Sequence, residues 1–334
     1  MTICKRCVLD DKFPGIQFNG EGICNFCATA KNLDELAALR DKYARKFQDL
    51  IEQNQGRGSY DCLIAYSGGK DSTYTLALMT ERYQLRTLAF SFNNWFQSDF
   101  ALRNIANVIR YLKVDHISFT PHYEVFKKMI VAARDHTLQT GKAMQRASSI
   151  CTNCISLIRA LSLKTAIEKG IPFVIFGMSP GQAPIPASIF KSNTGMLRAM
   201  QQAITHSLHE HLGPLVDPYY LEERHFQEEH LFPYIVNPLA FLAYDEQDIY
   251  ERIQKMGWIA PSDTDANSTN CLLNAYANKI HEEQYGFNPY AYEIANLVRE
   301  GFMSRDEGLA RLRKTQEDET IGYIKEELWP SAAK

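Results

Sequence analysis

From Asp61 onward, short apolar runs alternate with longer segments of helical character. "DCLIAYS" precedes "DSTYTLALMTERY", "RTLAFSFNN" precedes "DFALRNIANVIRYLK", and "DHISFTP" precedes "EVFKKMIVAARDHTL". A helical "ICTNCISLIRALSLKTAIEKG" then leads into a fourth apolar run, "IPFVIFGMS". The runs have strand length and strand composition, and the segments between them have helical spacing. Such alternation predicts an α/β protein with a parallel, doubly wound sheet. Ligands of such sheets lie outside the carboxyl ends of the strands.

At 334 residues, 45% of them hydrophobic and 22% charged, the chain suits one large domain or two modest ones. The expected division is a cysteine-bearing module at 1–30, a linker helix at 31–56 and the α/β domain at 57–260. An inserted helical lobe is expected at 184–230, and a helical region at 261–334. The net charge of -3 and pI near 6.3 give no overall basic field, so a nucleic-acid partner would need a local patch. No apolar stretch approaches the roughly 18–20 residues that cross a bilayer. "MTICKRCVLDD" has no signal-peptide core, which leads to the expectation of a cytoplasmic protein without a membrane partner. The helical C-terminal region is a candidate surface for a homodimer.

Between the first apolar run and its helix stand Ser67, Gly68, Gly69, Lys70, Asp71, Ser72 and Thr73. Two glycines let the backbone turn tightly with its N–H groups exposed, and a helix starts at once, so amides and the positive helix end converge on an anion site. The hydroxyls add donors and Lys70 a point charge. Asp71 beside phosphate calls for a bridging divalent cation, for which magnesium is the common choice. The plainer alternative, a capped turn, needs only one of these residues. The Walker loop is excluded, since its glycines stand four residues apart.

Cysteine spacing carries the second signal. Cys4, Cys7, Cys24 and Cys27 read C-x2-C-x16-C-x2-C, a tetrahedral zinc pattern whose closed four-thiolate set implies a structural metal. Cys151 and Cys154 form a third C-x-x-C pair, and Cys271 follows the last strand–helix unit. Three thiolates hold a four-iron cluster by three corners, or zinc with a water, and three cysteines can also be packed as small apolar residues. Cys62, inside the first apolar run, reads as core rather than as a persulfide carrier.

"SGGKDS" after an apolar strand resembles the PP-loop of the ATP pyrophosphatase superfamily. The resemblance implies ATP with its outer phosphates in the bend, and attack of a substrate carbonyl or amide oxygen on the α-phosphorus. Pyrophosphate leaves, and a nucleophile then displaces AMP from the activated carbon. It implies Lys70, Asp71 and Ser72 as catalytic residues. Ala65, Tyr66, Ser67, Gly68, Gly69, Thr73, Phe90, Phe92 and Gly177 would join them around the nucleotide. "CTNCISLIRALSLKTAIEKG", "NPLAFLAYDEQDIYERI" and "STNC" are similar in order and spacing to segments of the iron–sulfur-dependent tRNA thiolation enzymes. That likeness implies a 4Fe-4S cluster on Cys151, Cys154 and Cys271 that delivers sulfur, with a separate sulfur donor as partner. The match runs from about Tyr60 to Asn274. "GMSPGQ" stands where those enzymes carry a histidine- and aspartate-rich motif, and no second zinc module follows, so a small or sugar-like substrate is expected over tRNA.

"CKRCVLDDKFPGIQFNGEGICNFC", a helix, and "YDCLIAYSGGKDSTYTLAL" also resemble the N-acetyl sugar amidotransferases. For those the implied nucleophile is ammonia from a glutaminase partner, and the product an acetamidino sugar. A third class is a nucleotide-binding module without turnover. Weaker features are His206, His209 and His211 on "HSLHEH", read as a solvated face, and Asp263 with Asp265, read as a loop end. Lys127, Lys128, Arg134, Lys142 and Arg146 form a basic stretch that could guide an anionic substrate.

Overall fold

The expected alternation becomes a sheet with helices on both faces. The computed structural model describes residues 2–136, 138, 141–264, 267–314 and 318–329. In chain order the elements begin with α1 (Asn25–Ala28), α2 (Leu33–Asn54), β1 (Cys62–Ala65), α3 (Lys70–Ala77), β2 (Thr87–Phe92), α4 (Asp99–Leu112) and β3 (Asp115–Phe119). They continue with α5 (Tyr123–Asp135), α6 (Gly141–Met144), α7 (Ser149–Lys169), β4 (Phe173–Phe176), β5 (Ile189–Lys191), α8 (Thr194–Leu212) and α9 (Glu223–Phe226). The last are β6 (Tyr234–Val236), α10 (Glu246–Gln254), α11 (Leu273–Tyr285), α12 (Ala291–Arg299), α13 (Arg305–Leu312) and α14 (Asp318–Leu328).

The sheet order is β3-β2-β1-β4-β6-β5, parallel except where β5 runs against β6. β2 and β4 are buried along their whole length, as parallel strands covered on both faces must be, and so read as continuous apolar runs. Leu63, Leu88 and Val174 face one core with residues of α5, α7, α11 and α14. Cys62, Ile64, Ala89 and Ile175 face another with residues of α2, α3, α4 and α10. Cys62 is fully buried there. The order of connection reverses between β1 and β4, which opens a crevice at their carboxyl ends.

The segment at 184–230 differs from a purely helical lobe. It opens with β5, which extends the main sheet before α8 begins. Three residues carry no readable period, so only pairing reveals the strand. Among the described residues one helix, α7, is long and apolar enough to span a membrane by length and composition. Leu157 and Leu161 of that helix lie in the sheet's core, which accounts for its apolarity.

Chain ends meet. Val8, Leu9 and Phe13 of the N-terminal module share a cluster with Phe287, Ile294, Leu297 and Met303. Arg305 donates to the carbonyls of Cys4 (3.1 and 3.0 Å) and Cys7 (3.1 Å), fastening α13 to the module's first turn.

Candidate functional site

Tyr66 ends the β1 edge, with its N–H on Phe90 O (2.8 Å) and its carbonyl accepting from Ser91 Oγ (2.7 Å). The chain then turns through Gly68 at φ +76°, where a Cβ would lie 2.6 Å from Ala101 O. Only glycine meets both conditions. Gly68 O accepts from the buried Trp258 indole at 2.9 Å. Ser67 Oγ and Ser72 Oγ are 3.0 Å apart across the bend. Lys70 N–H, the first of α3, donates to Thr269 Oγ1 at 3.1 Å. Gly177, just past β4, is packed against this turn, and a Cβ there would come 2.6 Å from Ser72 Cα. The bend thus occupies the switch-point crevice.

Lys70 is almost fully buried and triply engaged. Its Nζ lies 2.7 Å from Tyr244 OH, 2.8 Å from Glu246 Oε1 and 3.2 Å from Asp71 Oδ1. Tyr244 OH donates to Asp71 at 3.0 Å, and Arg311 holds the other oxygen of Glu246. Burial lowers the ammonium's pKa, but Asp71, Tyr244 and Glu246 outweigh it, so Lys70 stays charged with a raised pKa. Glu246 is drawn down by Lys70 and Arg311 against its own burial.

Phe90 and Phe92 point into the core, where Phe92 stacks on Phe119 (6.4 Å) and meets Phe126 edge-on. Ala65 is half-buried at the strand's end, and Tyr66 and Thr73 are buried beneath the bend. Sequence reasoning missed Tyr244, Glu246, Trp258, Thr269, Glu293 and Arg311. Glu293 reaches from α12 to the loop after β4, accepting from Ser179 Oγ (2.5 Å) and Gln182 Nε2 (2.9 Å). Burial raises its pKa, and the charge of Asp71 adds to the effect. No local pattern marks these residues, because each meets the bend only through the fold.

Cys4, Cys7, Cys24 and Cys27 lie with all sulfurs within 4.8 Å of one another and no exposed surface. Backbone N–H groups of Arg6 (3.4 Å) and Cys24 (3.3 Å) donate to Cys4 Sγ, as thiolates need. A hydrogen bond from Cys7, aided by Arg299, lowers Cys27 to about 5. Four close, buried sulfurs with donors at hand fit a tetrahedral metal.

Cys151 sits in the first turn of α7, its N–H capped by Ser148 Oγ at 3.2 Å. Cys271 pairs across a bridge with Gln97, beside the start of α4. Asn94 Nδ2 donates to Cys271 Sγ (3.2 Å) and Asn274 Nδ2 to Cys151 Sγ (3.5 Å). Burial raises the Cys154 thiol, and the neighbouring charges of Cys151 and Cys271 raise it further. The three therefore share one place, are partly open, and carry amide donors to sulfur of the kind that tune clusters. Among the described residues, the sulfurs gathered closely enough for a metal ion are those of Cys4, Cys7, Cys24 and Cys27; Cys151, Cys154 and Cys271 are neighbours of one another. Thr269 and Cys271 are two residues apart, so one segment touches both the bend and the sulfurs.

The expected weaker features resolve separately. His209 pairs with Asp217 (2.6 Å), His206 faces Glu210, and His211 stacks on His136. Asp263 accepts from Ser98 Oγ at 2.7 Å, while Asp265 lies outside the described residues. Arg134 is paired with Asp135.

Fold and bend together define an α/β protein with a strand–bend–helix turn at the switch point of its sheet. No protein-family model matches the chain. It is 25% identical over 313 residues, 93% of each chain, to an uncharacterized protein of Methanocaldococcus jannaschii. Similar solved structures include the U34-tRNA thiolase NcsA of Methanococcus maripaludis with its [4Fe-4S] cluster, at 13% identity and TM-score 0.35, covering 90% of this chain and 87% of that one. Another is the NMN synthetase of Francisella tularensis, at 13% identity and TM-score 0.37, covering 88% and 98%. Likeness at that level leaves the site to be read from this chain's own residues.

Proposed function

We propose that this chain is an ATP-dependent transferase of the PP-loop pyrophosphatase type, acting in the cytoplasm on a small or sugar-like acceptor. It replaces a carbonyl-type oxygen with sulfur. The observation that carries the reading is the segment Ser268–Leu272. Its Thr269 hydroxyl caps Lys70 N–H while Cys271, two residues on, meets Asn94 and the α7 cysteines. Phosphate chemistry at the bend and sulfur chemistry at α7 are thereby neighbours.

In the proposed reaction the bend holds the outer phosphates of ATP through its hydroxyls and the end of α3, with Asp71 for Mg2+. The acceptor oxygen bonds to the α-phosphorus as the bond to pyrophosphate breaks, and amides and hydroxyls of the bend offset charge on the leaving group. The acceptor carbon then loses that oxygen with AMP and gains sulfur. A 4Fe-4S cluster on Cys151, Cys154 and Cys271 would supply the sulfur nucleophile when bound. Zn2+ on Cys4, Cys7, Cys24 and Cys27 would be structural, holding the module against α12 and α13.

Anaerobic purification with iron, sulfide and zinc analysis tests this. The expected protein is brown, loses its colour when Cys151 is changed to Ala, and releases pyrophosphate only with an acceptor. A colourless, zinc-only protein that turns over with ammonia would replace sulfur transfer by amidation of an acetamido sugar.

A further inference from the structure

Cations around the crevice mostly have protein partners. Lys70 is shared by Tyr244, Glu246 and Asp71, and Arg311 by Glu246 and Glu307. Arg159 is placed differently. Its guanidinium lies over the Phe176 ring, 5.9 Å from the centroid. Phe176 ends β4 and is in register with Ala65, which ends β1, so this cation stands at the carboxyl ends of the two switch-point strands. It projects from α7, the helix that also carries Cys151 and Cys154.

The Arg159 side chain is exposed to solvent. Protein atoms along its stem lower its pKa, and the like charge of Arg146 lowers it further. A guanidinium nevertheless remains protonated at neutral pH. Arg146 is exposed as well, over the Tyr292 ring at 5.6 Å. Among the described residues, neither arginine has a carboxylate partner. Two neighbouring cations, both open to solvent and neither with a carboxylate partner among the described residues, repel each other, and an anion between them would relieve that repulsion. The planar guanidinium fork matches phosphate oxygens.

We propose that Arg159, with Arg146 beside it, is a second anion-binding point of the crevice, beside the bend, and takes a phosphate group between the strand ends and the cysteine-bearing start of α7. Lys70, already held by three partners, leaves this charge to the arginines. The phosphate belongs to ATP or to a phosphorylated acceptor, and only that identity rests on the function proposed above.

Binding of three probes decides the matter: inorganic pyrophosphate, Mg-ATP, and inorganic phosphate added to protein loaded with a non-hydrolysable ATP analogue. Each is titrated by calorimetry into the full chain and into Arg159→Gln, Arg159→Lys and Arg146→Gln. Pyrophosphate should bind about 10- to 100-fold more weakly to Arg159→Gln, and by a smaller factor to Arg146→Gln, with Arg159→Lys recovering most of the loss. Neutral adenosine should bind all four alike. Weakened ATP binding assigns the phosphate to the nucleotide. Unchanged ATP binding with lost phosphate binding to analogue-loaded protein assigns it to the acceptor. All three probes binding Arg159→Gln as they bind wild type would overturn the proposal, as would a wild type that binds none of them. Melting temperature and N-terminal metal content verify the fold. Should the Gln variant not fold, the Lys variant decides, with about three-fold weaker pyrophosphate binding expected and none overturning. Wild type that takes pyrophosphate through Arg159 but no ATP would remove the ATP reading and leave the anion point standing.

Discussion

Two sets of cysteines show how differently one residue type can be used. Cys4, Cys7, Cys24 and Cys27 come from one short stretch, are fully buried, and close on themselves within 4.8 Å. Cys151 and Cys154 on one side and Cys271 on the other come from two distant parts of the chain, are partly open, and lie beside the glycine bend through Thr269. The first set, closed to solvent, suits a structural metal. The second is partly open to solvent, which the proposed sulfur chemistry requires. Closure and openness, rather than the number of sulfurs, separate the two sets.

The contrast breaks most visibly at the closed set. Cys24→Ser should release the module's metal and lower the melting temperature by about 10 °C or more, since structural metal binding is folding free energy. Metal analysis and calorimetry check this, and an unchanged melting temperature would deny the module its structural role. Next in size is the bend itself. Gly68→Ala forces a Cβ to 2.6 Å from Ala101 O at φ +76°. The expected cost is about 2–4 kcal/mol in chemical denaturation, together with loss of ATP binding.

Acid should loosen the region between the two sets. His281 of α11 is buried with Tyr285 and Phe287 against its ring, and neither ring nitrogen has a protein partner among the described residues. Burial lowers its pKa from 6.5 to about 4. The unfolded chain therefore takes up the proton first as pH falls. Stability is whole above pH 6.5, declines between 6.5 and about 4, and loses nothing further from this group below that. The loss should be on the order of 1–3 kcal/mol, and His281→Phe should flatten that part of the curve of melting temperature against pH. The smallest stability effect belongs to the open set. Cys271→Ala should change stability by less than about 1 kcal/mol while removing the iron–sulfur absorbance and leaving the N-terminal metal in place. A large drop in melting temperature without loss of colour would reverse the assignment of the two sets.

What could be read from the chain follows the range of the forces involved. Helix α2 announces itself by Asn32 and Glu35, which form a reciprocal cap at 2.8 and 2.9 Å, and by apolar spacing that reaches Phe47, Leu50 and Ile51. The central strands are apolar because both their faces are covered. The two C-terminal helices α12 and α13 lie within what reads as one charged helical stretch. Gly301 at φ +80° and the Ser304 cap divide it. β5 could not be read at all, since its pairing with β6 crosses more than forty residues of chain.

Local spacing alone determined the four-sulfur module, the alternation that makes the sheet, and the glycine bend, because each depends on residues that are neighbours in sequence. Tertiary structure decided that Lys70 is held by Tyr244 and Glu246, that Glu293 comes to the loop after β4, and that Arg159 has no carboxylate partner among the described residues. Charge acts through space and is set by what the fold brings near or keeps away. Partners from remote segments leave no trace in the spacing of the residues they meet.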